Sequence, residues 1–411
     1  MEEHPLLQDL IDKTPAGETV SLAPGIYQGP VVINKPLILD GRGEVTVDGG
    51  GKGTIILIQA DGVTLKNLAI TNSGDSHDQV DAGIRIVSAN NQIHHNKISN
   101  TLFGIDMKEA HGNEIIGNDI SSKQRDLGLR GDGIRVWASH RNLFLENTIH
   151  DSRDMVLLYS NNNLIEKNKG WNNRYSLHFM YTGKNDVRYN QYHNNAVGIF
   201  LMYSKDSILE HNEIQYSLGS LGMGIGMKEV DNMTIRFNTI VYCAKGLYLD
   251  QSPFDPWTYN LILGNQIGYN VEGIVLHSTL KRNIFKGNAL IDNLEEVSVH
   301  ANGTAVGNVW QGNYWSSYEG FDRNQNGYGD SGHVKYMYLD QIWMDRPWVR
   351  FYFGSPIISV VNMLAKLLPL TEPRVVLKDD APVFVMNSSL RLAENNLNFE
   401  IPADDEDDDE L

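Results

Sequence analysis

The sequence predicts an all-β fold, a single right-handed parallel β-helix of about eleven or twelve stacked turns. Two short motifs recur between about residues 31 and 310, at intervals of roughly 21–29 residues. A repeat of this length indicates supersecondary units that stack on one another. The runs between the motifs alternate apolar and polar residues with period two, which is typical of strands. Each repeat is therefore expected to form one turn of the solenoid.

The two motifs predict the corners and one strand of a pectin-lyase-like solenoid. Asparagine tolerates the left-handed backbone of tight corners, and stacked asparagines form side-chain ladders. The first motif, Asn-x-Ile, begins at Asn96, Asn118, Asn147, Asn212, Asn238 and Asn265. The second motif, Gly-Ile or Gly-Leu, begins at Gly83, Gly104, Gly133, Gly198, Gly224, Gly246 and Gly273.

A short helix is expected to cap the start of the solenoid, within residues 1–18. His4–Lys13 carries Leu6, Leu7, Leu10 and Ile11 at helical spacing, before the break at Pro15. Solenoids need terminal caps to cover their outermost hydrophobic layer. Residues 19–345 are then expected to form the β-helix and its C-terminal end.

Charge and cysteine content exclude several classes of function. The 411 residues include 34 Lys+Arg and 51 Asp+Glu, a net charge of −17, which disfavours nucleic acid as a partner. Seven acids lie in Asp404–Glu410, so residues 401–411 are expected to be a disordered tail, with attraction of metal ions as the alternative. Cys243 is the only cysteine, which excludes an intrachain disulfide and a thiolate cluster. The N-terminal residues show no signal peptide, as expected of a cytosolic protein or of one whose leader was removed.

The longest insertions in the repeat mark the face on which function is expected. Residues 72–82, 121–131 and 215–223 precede the Gly-Ile strand, and residues 251–259 follow it. Insertions in solenoids form loops on one face, often the binding face. These loops would wall both edges of the sheet that the Gly-Ile strands form.

Alternation along the Gly-Ile strand separates core residues from outward ones. The residues one and three positions after the glycine are apolar in every turn, so they are expected to point into the core. Met107, Met155 and Met227 are then core residues. The outward pairs, two and four positions after the glycine, are Asp106/Lys108, Arg135/Trp137, His178/Met180, Phe200/Met202, Gly226/Lys228, Tyr248/Asp250, Val275/His277 and Ser298/His300.

The outward column predicts a copper site formed by His178, Met180 and Met202. Neighbouring strands lie ~4.8 Å apart and residues two apart on a strand lie ~6.7 Å apart, so the three side chains could close on one ion. Thioether sulfur suits Cu(I), and imidazole suits copper, zinc, iron and nickel. The alternative is a hydrophobic protein-binding patch. His277 and His300, further along the column, are expected to form a secondary or transfer site.

A carbohydrate-binding or polysaccharide-modifying enzyme, of lyase or epimerase type, is the alternative function, because β-helices also carry such chemistry. The outward face offers the carboxylates Asp106 and Asp250, several turns apart. The aromatic residues Trp137, Phe200 and Tyr248 could stack on sugar rings. However, the sequence contains no Gly-His-Gly and no Asp-Pro-His-Asp run.

After the repeats, a candidate calcium loop begins at Asp322. Asp322, Asn324, Asn326 and Asp330 match ligand positions 1, 3, 5 and 9 of a calcium-binding loop. Position 12 is His333, so the bidentate glutamate is missing. The alternative is a turn held by hydrogen bonds alone.

Residues 346–400 are expected to dock the protein on a membrane or a membrane protein. An apolar stripe between Pro356 and Pro369 predicts an amphipathic helix, preceded by aromatic residues from Trp348 onward. About twelve residues are too few to span a bilayer, which needs ~20. The alternative for 348–368 is ordinary packing on the β-helix.

Six stretches together resemble the NosD family of nitrous oxide reductase maturation proteins, from about Leu6 to Pro382. They are Arg130–Ile134, Ser176–Tyr181, Val197–Ser204, Gly222–Gly226, Gly312–Trp315 and Asp322–Asp330. The resemblance implies a periplasmic protein, not itself an enzyme, that is membrane-associated through the permease of an ABC transporter. It also implies an ABC-type ATPase, a copper chaperone lipoprotein and nitrous oxide reductase as partners. Whether the cargo is copper or a sulfur species stays open.

Overall fold

The computed structural model describes residues 4–277, 281–300, 304–337, 355–357, 360, 363–364 and 374–386. Within these residues the chain forms a right-handed parallel β-helix of about 12 turns. The predicted fold class is therefore confirmed. Each turn contributes one strand to a first sheet and, in most turns, two short strands to a second, bent sheet.

The first sheet contains the Gly-Ile strands and carries the candidate site on its outer face. Its twelve strands, among the described residues, follow one another in sequence order and are all parallel. They are Val31–Ile33, Ile56–Ile58, Ala82–Ile86, Phe103–Lys108, Ile134–Trp137, Asp154–Leu158, Tyr175–Met180, Val197–Met202, Met223–Lys228, Lys245–Asp250, Glu272–His277 and Glu295–His300.

The second sheet forms the remaining wall, with 23 strands in the described part of the chain. They are Gly25–Gln28, Ile38–Asp48, Thr64–Thr71, Gln92–His94, Lys97–Thr101, Glu114–Ile116, Asp119–Ser122, Leu143–Leu145, Thr148–His150, Leu164–Glu166, Lys169–Trp171, Asp186–Arg188, Gln191–His193, Ile208–Glu210, Glu213–Gln215, Thr234–Arg236, Thr239–Val241, Asn260–Leu263, Gln266–Gly268, Asn283–Lys286, Ala289–Ile291, Val309–Gln311 and Tyr314–Trp315.

The two ends of the solenoid are closed by different elements. At the start, the α-helix Leu7–Lys13 places Leu7 and Ile11 in the core, both fully buried. At the far end, His333–Met337 pairs antiparallel with Arg374–Asp379. A single 3₁₀ turn, Leu127–Leu129, lies in one of the predicted edge loops.

The core is a continuous stack of inward side chains, as the alternation predicts. The residues one and three positions after the glycine are buried on successive turns, for example Ile105, Met107, Ile225 and Met227, each with no exposed surface. Cys243 is buried as well, and burial raises the pKa of its thiol to about 11. The outward assignment of the alternate residues follows from the same register.

A ladder of asparagines runs along one corner of the solenoid. In each turn the side-chain oxygen accepts hydrogen bonds from the backbone N–H and the side-chain amide of the preceding asparagine. Its members are Asn96, Asn118, Asn147, Asn168, Asn190, Asn212, Asn238, Asn265, Asn288 and Asn313. The ladder ends at Asp379, which accepts from the Asn313 backbone and side-chain amide at 3.0 Å each.

Residues 374–386 therefore complete the end of the solenoid, although the sequence analysis grouped them with the docking segment. Most of the predicted segment 348–368 and the acidic tail 401–411 lie outside the described residues. Of that segment the structure describes a few positions, where Ile357, Val360, Met363 and Leu364 are helical and exposed. None of the described helices is long and apolar enough to cross a bilayer.

Candidate metal site

The candidate site lies on the outer face of the first sheet, on the strands Tyr175–Met180 and Val197–Met202. In the parallel register, His178 pairs with Phe200, and Met180 pairs with Met202. The predicted edge loops border the same sheet: residues 216–222 enter it and residues 251–259 leave it. The sequence-based choice of face thus agrees with the position of the insertions.

His178 and Met202 are brought into direct contact. The His178 Nε2 atom lies 3.4 Å from the Met202 sulfur. The His178 side chain points away from the core, yet the residue is only 6% exposed. The buried imidazole therefore faces the sulfur of a half-buried methionine.

Asp154, on the preceding strand, holds the other side of the imidazole. Its Oδ2 atom lies 3.3 Å from His178 Nδ1, and its Oδ1 atom accepts from Arg174 Nε at 2.9 Å. Burial favours the neutral acid, but the hydrogen bonds from His178 and Arg174 outweigh it, so the pKa of Asp154 is lowered. The carboxylate is therefore ionised and anchors the ring.

Met180 stands beside Met202, one strand away. Its Cα pairs with those of Met202 and Leu158 in the parallel ladder, and its side chain is half-buried. The structure thus places both predicted thioether residues in one column. The sulfur contact to His178 comes from Met202.

Aromatic residues surround His178. The ring of Tyr175 meets it edge-on, with centroids 4.9 Å apart, and the ring of Phe200 lies 6.0 Å away. Phe200 extends over Gly226, where a Cβ would come within 2.4 Å of the ring. The Met223 sulfur lies 3.2 Å from the same point, so a third thioether belongs to this face.

Asp154, Tyr175 and Met223 are not among the residues predicted from the sequence. Each is the first residue of its strand, and the pairing of the Asp154 strand with the Tyr175 strand shifts register between Asp154 and Val156. A count of alternate positions fails across such an irregularity. Spacing offers a partial signal for Asp154, because Arg174 follows it by one repeat and so stands beside it on the next turn.

His277 and His300 form a separate pair further along the column. Their Cα atoms pair in register, and their ring centroids are 6.4 Å apart. The strand that carries His277 is three strands beyond Val197–Met202, which corresponds to ~14 Å. His277 Nδ1 contacts Asp250 at 3.1 Å, and His300 Nε2 contacts Glu272 at 3.3 Å. The two histidines therefore cannot bind the ion held by His178.

The candidate calcium loop is an exposed turn held by its own side chains. Asp322 accepts from the backbone N–H groups of Asn326 and Gly327, at 3.1 and 2.9 Å. Asp330 accepts from the Arg323 N–H at 2.9 Å, and the Asn324 side chain accepts from the Asn326 N–H at 3.0 Å. The ligand atoms of the predicted calcium site are thus close together, and whether they bind calcium stays a prediction.

A groove of about 610 Å³ runs beside the candidate site, at the corner that follows the strands. Tyr181 and Tyr203, which follow Met180 and Met202, line it and stack on each other with centroids 4.9 Å apart. Tyr159 extends the stack, 5.2 Å from Tyr181. Since the rings lie face to face, they expose mainly their edges.

Among the described residues, no three His, Cys, Asp or Glu side chains converge as a metal site built from these types would require. The combination of His178 with thioether sulfur falls outside that set. At the candidate site the soft donor is the sulfur of methionine, which suits soft ions such as Cu(I).

Comparison with known families gives two matches. Residues 120–320 match the family described as periplasmic copper-binding protein (NosD), and residues 43–169 match a right-handed beta helix region. The chain is 30% identical to a probable ABC transporter binding protein NosD of Pseudomonas aeruginosa, covering 89% of this chain and 88% of the relative. It is 28% identical to the protein of the same description from Stutzerimonas stutzeri, covering 91% and 88%.

Two solved structures that share the fold are named as polysaccharide-modifying enzymes. The A-module of the Azotobacter vinelandii mannuronan C-5 epimerase AlgE6 aligns with a TM-score of 0.56 at 15% identity, over 74% of this chain and 93% of that one. A mannuronic acid specific family 6 lyase from human gut microbiota aligns with a TM-score of 0.50 at 12% identity, over 76% and 85%. At such low identity, the likeness concerns the fold alone.

Proposed function

Because the chain belongs to the NosD family, we propose that it is the periplasmic accessory protein of an ABC transporter, binds Cu(I), and assists maturation of the copper sites of nitrous oxide reductase. The family description and the names of the relatives support the periplasmic and transporter parts of this proposal. The copper chemistry is argued from the residues of the outer face.

One observation carries the proposal: His178 Nε2 and the Met202 sulfur face each other at 3.4 Å, while Asp154 occupies Nδ1. In a neutral ring with the proton on Nδ1, the Nε2 atom carries a lone pair, and this lone pair faces the sulfur. Neither of these two atoms can donate a hydrogen bond to the other, but both can bind the same soft cation. Bonds of about 2.0 Å to nitrogen and 2.3 Å to sulfur, as zinc makes, span the separation easily.

The donor set suits a carrier that binds copper and releases it again. Imidazole and thioether are neutral, so the bound ion keeps its charge. Met180, in register with Met202, is the proposed third ligand. Few soft ligands on rigid strands hold the ion in a defined place and less tightly than a thiolate cage. His277 and His300 are proposed to assist transfer or partner contact.

The partners are proposed to be the ATPase and permease of the transporter, a copper chaperone lipoprotein and nitrous oxide reductase. Met337 and Arg374, which flank residues 338–373, pair in register at the end of the solenoid. The permease is therefore expected at this end, with docking through 348–368. The same assembly could carry a sulfur species in place of copper, and a copper titration would distinguish these two cargoes.

The fold neighbours keep a polysaccharide-modifying enzyme as the second candidate, but the described residues favour it less. Asp106 is buried between Arg85 and Arg135, at 2.8 and 2.9 Å. Asp250 lies six strands away, or ~29 Å, so these two carboxylates cannot flank one glycosidic bond. The faces of the stacked tyrosines are occupied by their neighbours, which leaves little platform for a sugar ring.

The proposal is tested by titrating the full chain with Cu(I) under reducing conditions and measuring retained copper after desalting. We expect stoichiometric binding that is lost in Met180→Ala combined with Met202→Ala. The matched control is Leu158→Ala, an apolar residue in register with Met180 that has no donor atom. Both variants should keep nearly the wild-type thermal transition, since outward side chains contribute little to the core. Wild-type copper binding by the double variant would refute the assignment and favour a protein-contact patch.

A further inference from the structure

We infer that Asp154 and Arg174 are positioning residues, which fix the tautomer of His178 and leave its Nε2 atom as the free donor nitrogen beside Met202. This inference rests on the proposed function for its consequence in copper binding. The tautomer itself can be tested without any metal.

Asp154 is held rigidly enough to orient the ring. It is 1% exposed and stands at the start of the strand that precedes the one carrying His178. Arg174 binds both carboxylate oxygens, through Nε at 2.9 Å and through Nη2. The Tyr175 backbone N–H adds a third donor at 3.3 Å. A carboxylate clamped in this way has a fixed direction toward His178.

The chemistry of the carboxylate decides which imidazole nitrogen carries the proton. An ionised carboxylate only accepts hydrogen bonds, so the Nδ1 atom at 3.3 Å must be the donor. In a neutral ring, the proton on Nδ1 leaves a lone pair on Nε2. A carboxylate behind a ligating histidine fixes tautomer and ring orientation in the same way at known metal sites.

A neighbouring ion pair supplies an internal comparison. Asp132 is also 1% exposed and is bound by Arg153, at 2.8 and 3.1 Å. It stands one turn before Asp154, and Val156 occupies the register position that His178 occupies on the next strand. Both carboxyl groups are buried and bound by an arginine, but only that of Asp154 contacts an imidazole. Burial raises the pKa of Asp132, whereas the hydrogen bonds from His178 and Arg174 lower that of Asp154. The difference between them isolates the positioning effect from the loss of a buried ion pair.

The substitution Asp154→Asn is expected to reverse the tautomer. Arg174 has only hydrogen-bond donors, so it would bind the amide oxygen of the asparagine. The NH₂ group would then point toward His178 Nδ1. The Nδ1 atom must then accept, and the proton moves to Nε2, where it blocks the donor nitrogen. A serine protease triad with the same Asp→Asn change keeps its geometry but holds the wrong tautomer.

The experiment uses the full chain labelled with ¹⁵N-histidine, free of metal, with the His178→Gln spectrum to identify the resonances. We expect an Nδ1–H signature for His178 in the wild type and in Asp132→Asn, and an Nε2–H signature in Asp154→Asn. A Cu(I) competition titration of the same proteins should show a loss of affinity of roughly 10–100-fold for Asp154→Asn. Asp154→Glu, which restores the carboxylate, should recover part of it.

The outcomes separate this inference from the proposed function. If His178 in Asp154→Asn stays protonated at Nδ1, or if Asp132→Asn lowers copper affinity equally, the positioning role is wrong. The thermal transitions of both Asn variants should fall, because each loses a buried carboxyl group that an arginine binds. If the wild type binds no Cu(I), the proposed function fails, while the tautomer measurement still decides the role of Asp154.

Discussion

Removing the carboxylate of Asp379 should open the last turns of the solenoid. This residue is fully buried and ends the asparagine ladder. Its Oδ2 atom accepts from the Asn313 backbone, the Asn313 side chain and Trp315 Nε1, and its Oδ1 atom accepts from the Gly312 and Ala381 N–H groups. The negative charge therefore satisfies five donors at a site closed to water.

The loss in free energy of unfolding follows from the hydrogen-bond donors that Asp379→Asn leaves without an acceptor. The amide keeps one oxygen, so at least the two donors on the other position would face an NH₂ group. Each buried donor without a partner costs about 1–3 kcal/mol, which gives about 2–6 kcal/mol in all. Since stability in a solenoid is local to neighbouring repeats, the loss should fall on the final turns.

Hydrogen exchange measured by mass spectrometry would test this. Amides in Asn283–Lys286, Val309–Gln311 and His333–Met337 should exchange roughly 30-fold to 10⁴-fold faster, as the lost free energy implies. Turns near the N-terminal helix should be unchanged. The control is Asp380→Asn, whose side chain is 75% exposed. Unchanged protection at the final turns, or an equal loss along the whole solenoid, would refute the reasoning.

Three further predictions concern docking, packing and calcium. Replacing residues 338–373 by a short Gly-Ser turn between Met337 and Arg374 should abolish co-purification with membrane partners, while Cu(I) binding persists. Retained co-purification would count against docking through this segment. Gly226→Ala should displace the Phe200 ring and so weaken Cu(I) binding in a titration. An unchanged affinity would mean that the ring does not support His178. If the Asp322 loop binds calcium, millimolar Ca²⁺ should raise the thermal transition of the wild type and not of Asp322→Asn, and an equal response of both would exclude that loop.

The repeat made the fold predictable, because one periodic signal specifies many turns at once. The alternation correctly assigned Met107 and Met227 to the core, and it placed His178 and Met202 on the outer face. These assignments need only the period of a strand and the length of the repeat. Strand pairing then follows from stacking, without any knowledge of loops.

The remaining features depend on breaks in the period and on contacts distant in sequence. Asp154 lies where the strand register shifts, so counting positions could not show that it contacts His178. Met223 stands two positions before the inward Ile225, so the count would point it inward, yet its sulfur lies beside Gly226 on the outer face. Asp379 meets Asn313 from 66 residues away, and no local pattern announces that contact. The boundary of the docking segment was drawn from composition, which does not show that Arg374–Asp379 returns to the solenoid.

The two antiparallel strands at the end of the solenoid, His333–Met337 and Arg374–Asp379, attach the proposed docking segment several strands away from the candidate site. The strand Glu295–His300 lies four strands beyond Val197–Met202, or ~19 Å, and the cap follows it. Because each repeat contacts mainly its neighbours, a movement of the segment beyond Met337 would reach His178 only weakly through the backbone. Under the proposed function, coupling between a transporter and the candidate site would then require a partner that reaches along the outer face. His277 and His300 lie on that path, in the same outward column as Met202, and their rings contact Asp250 and Glu272.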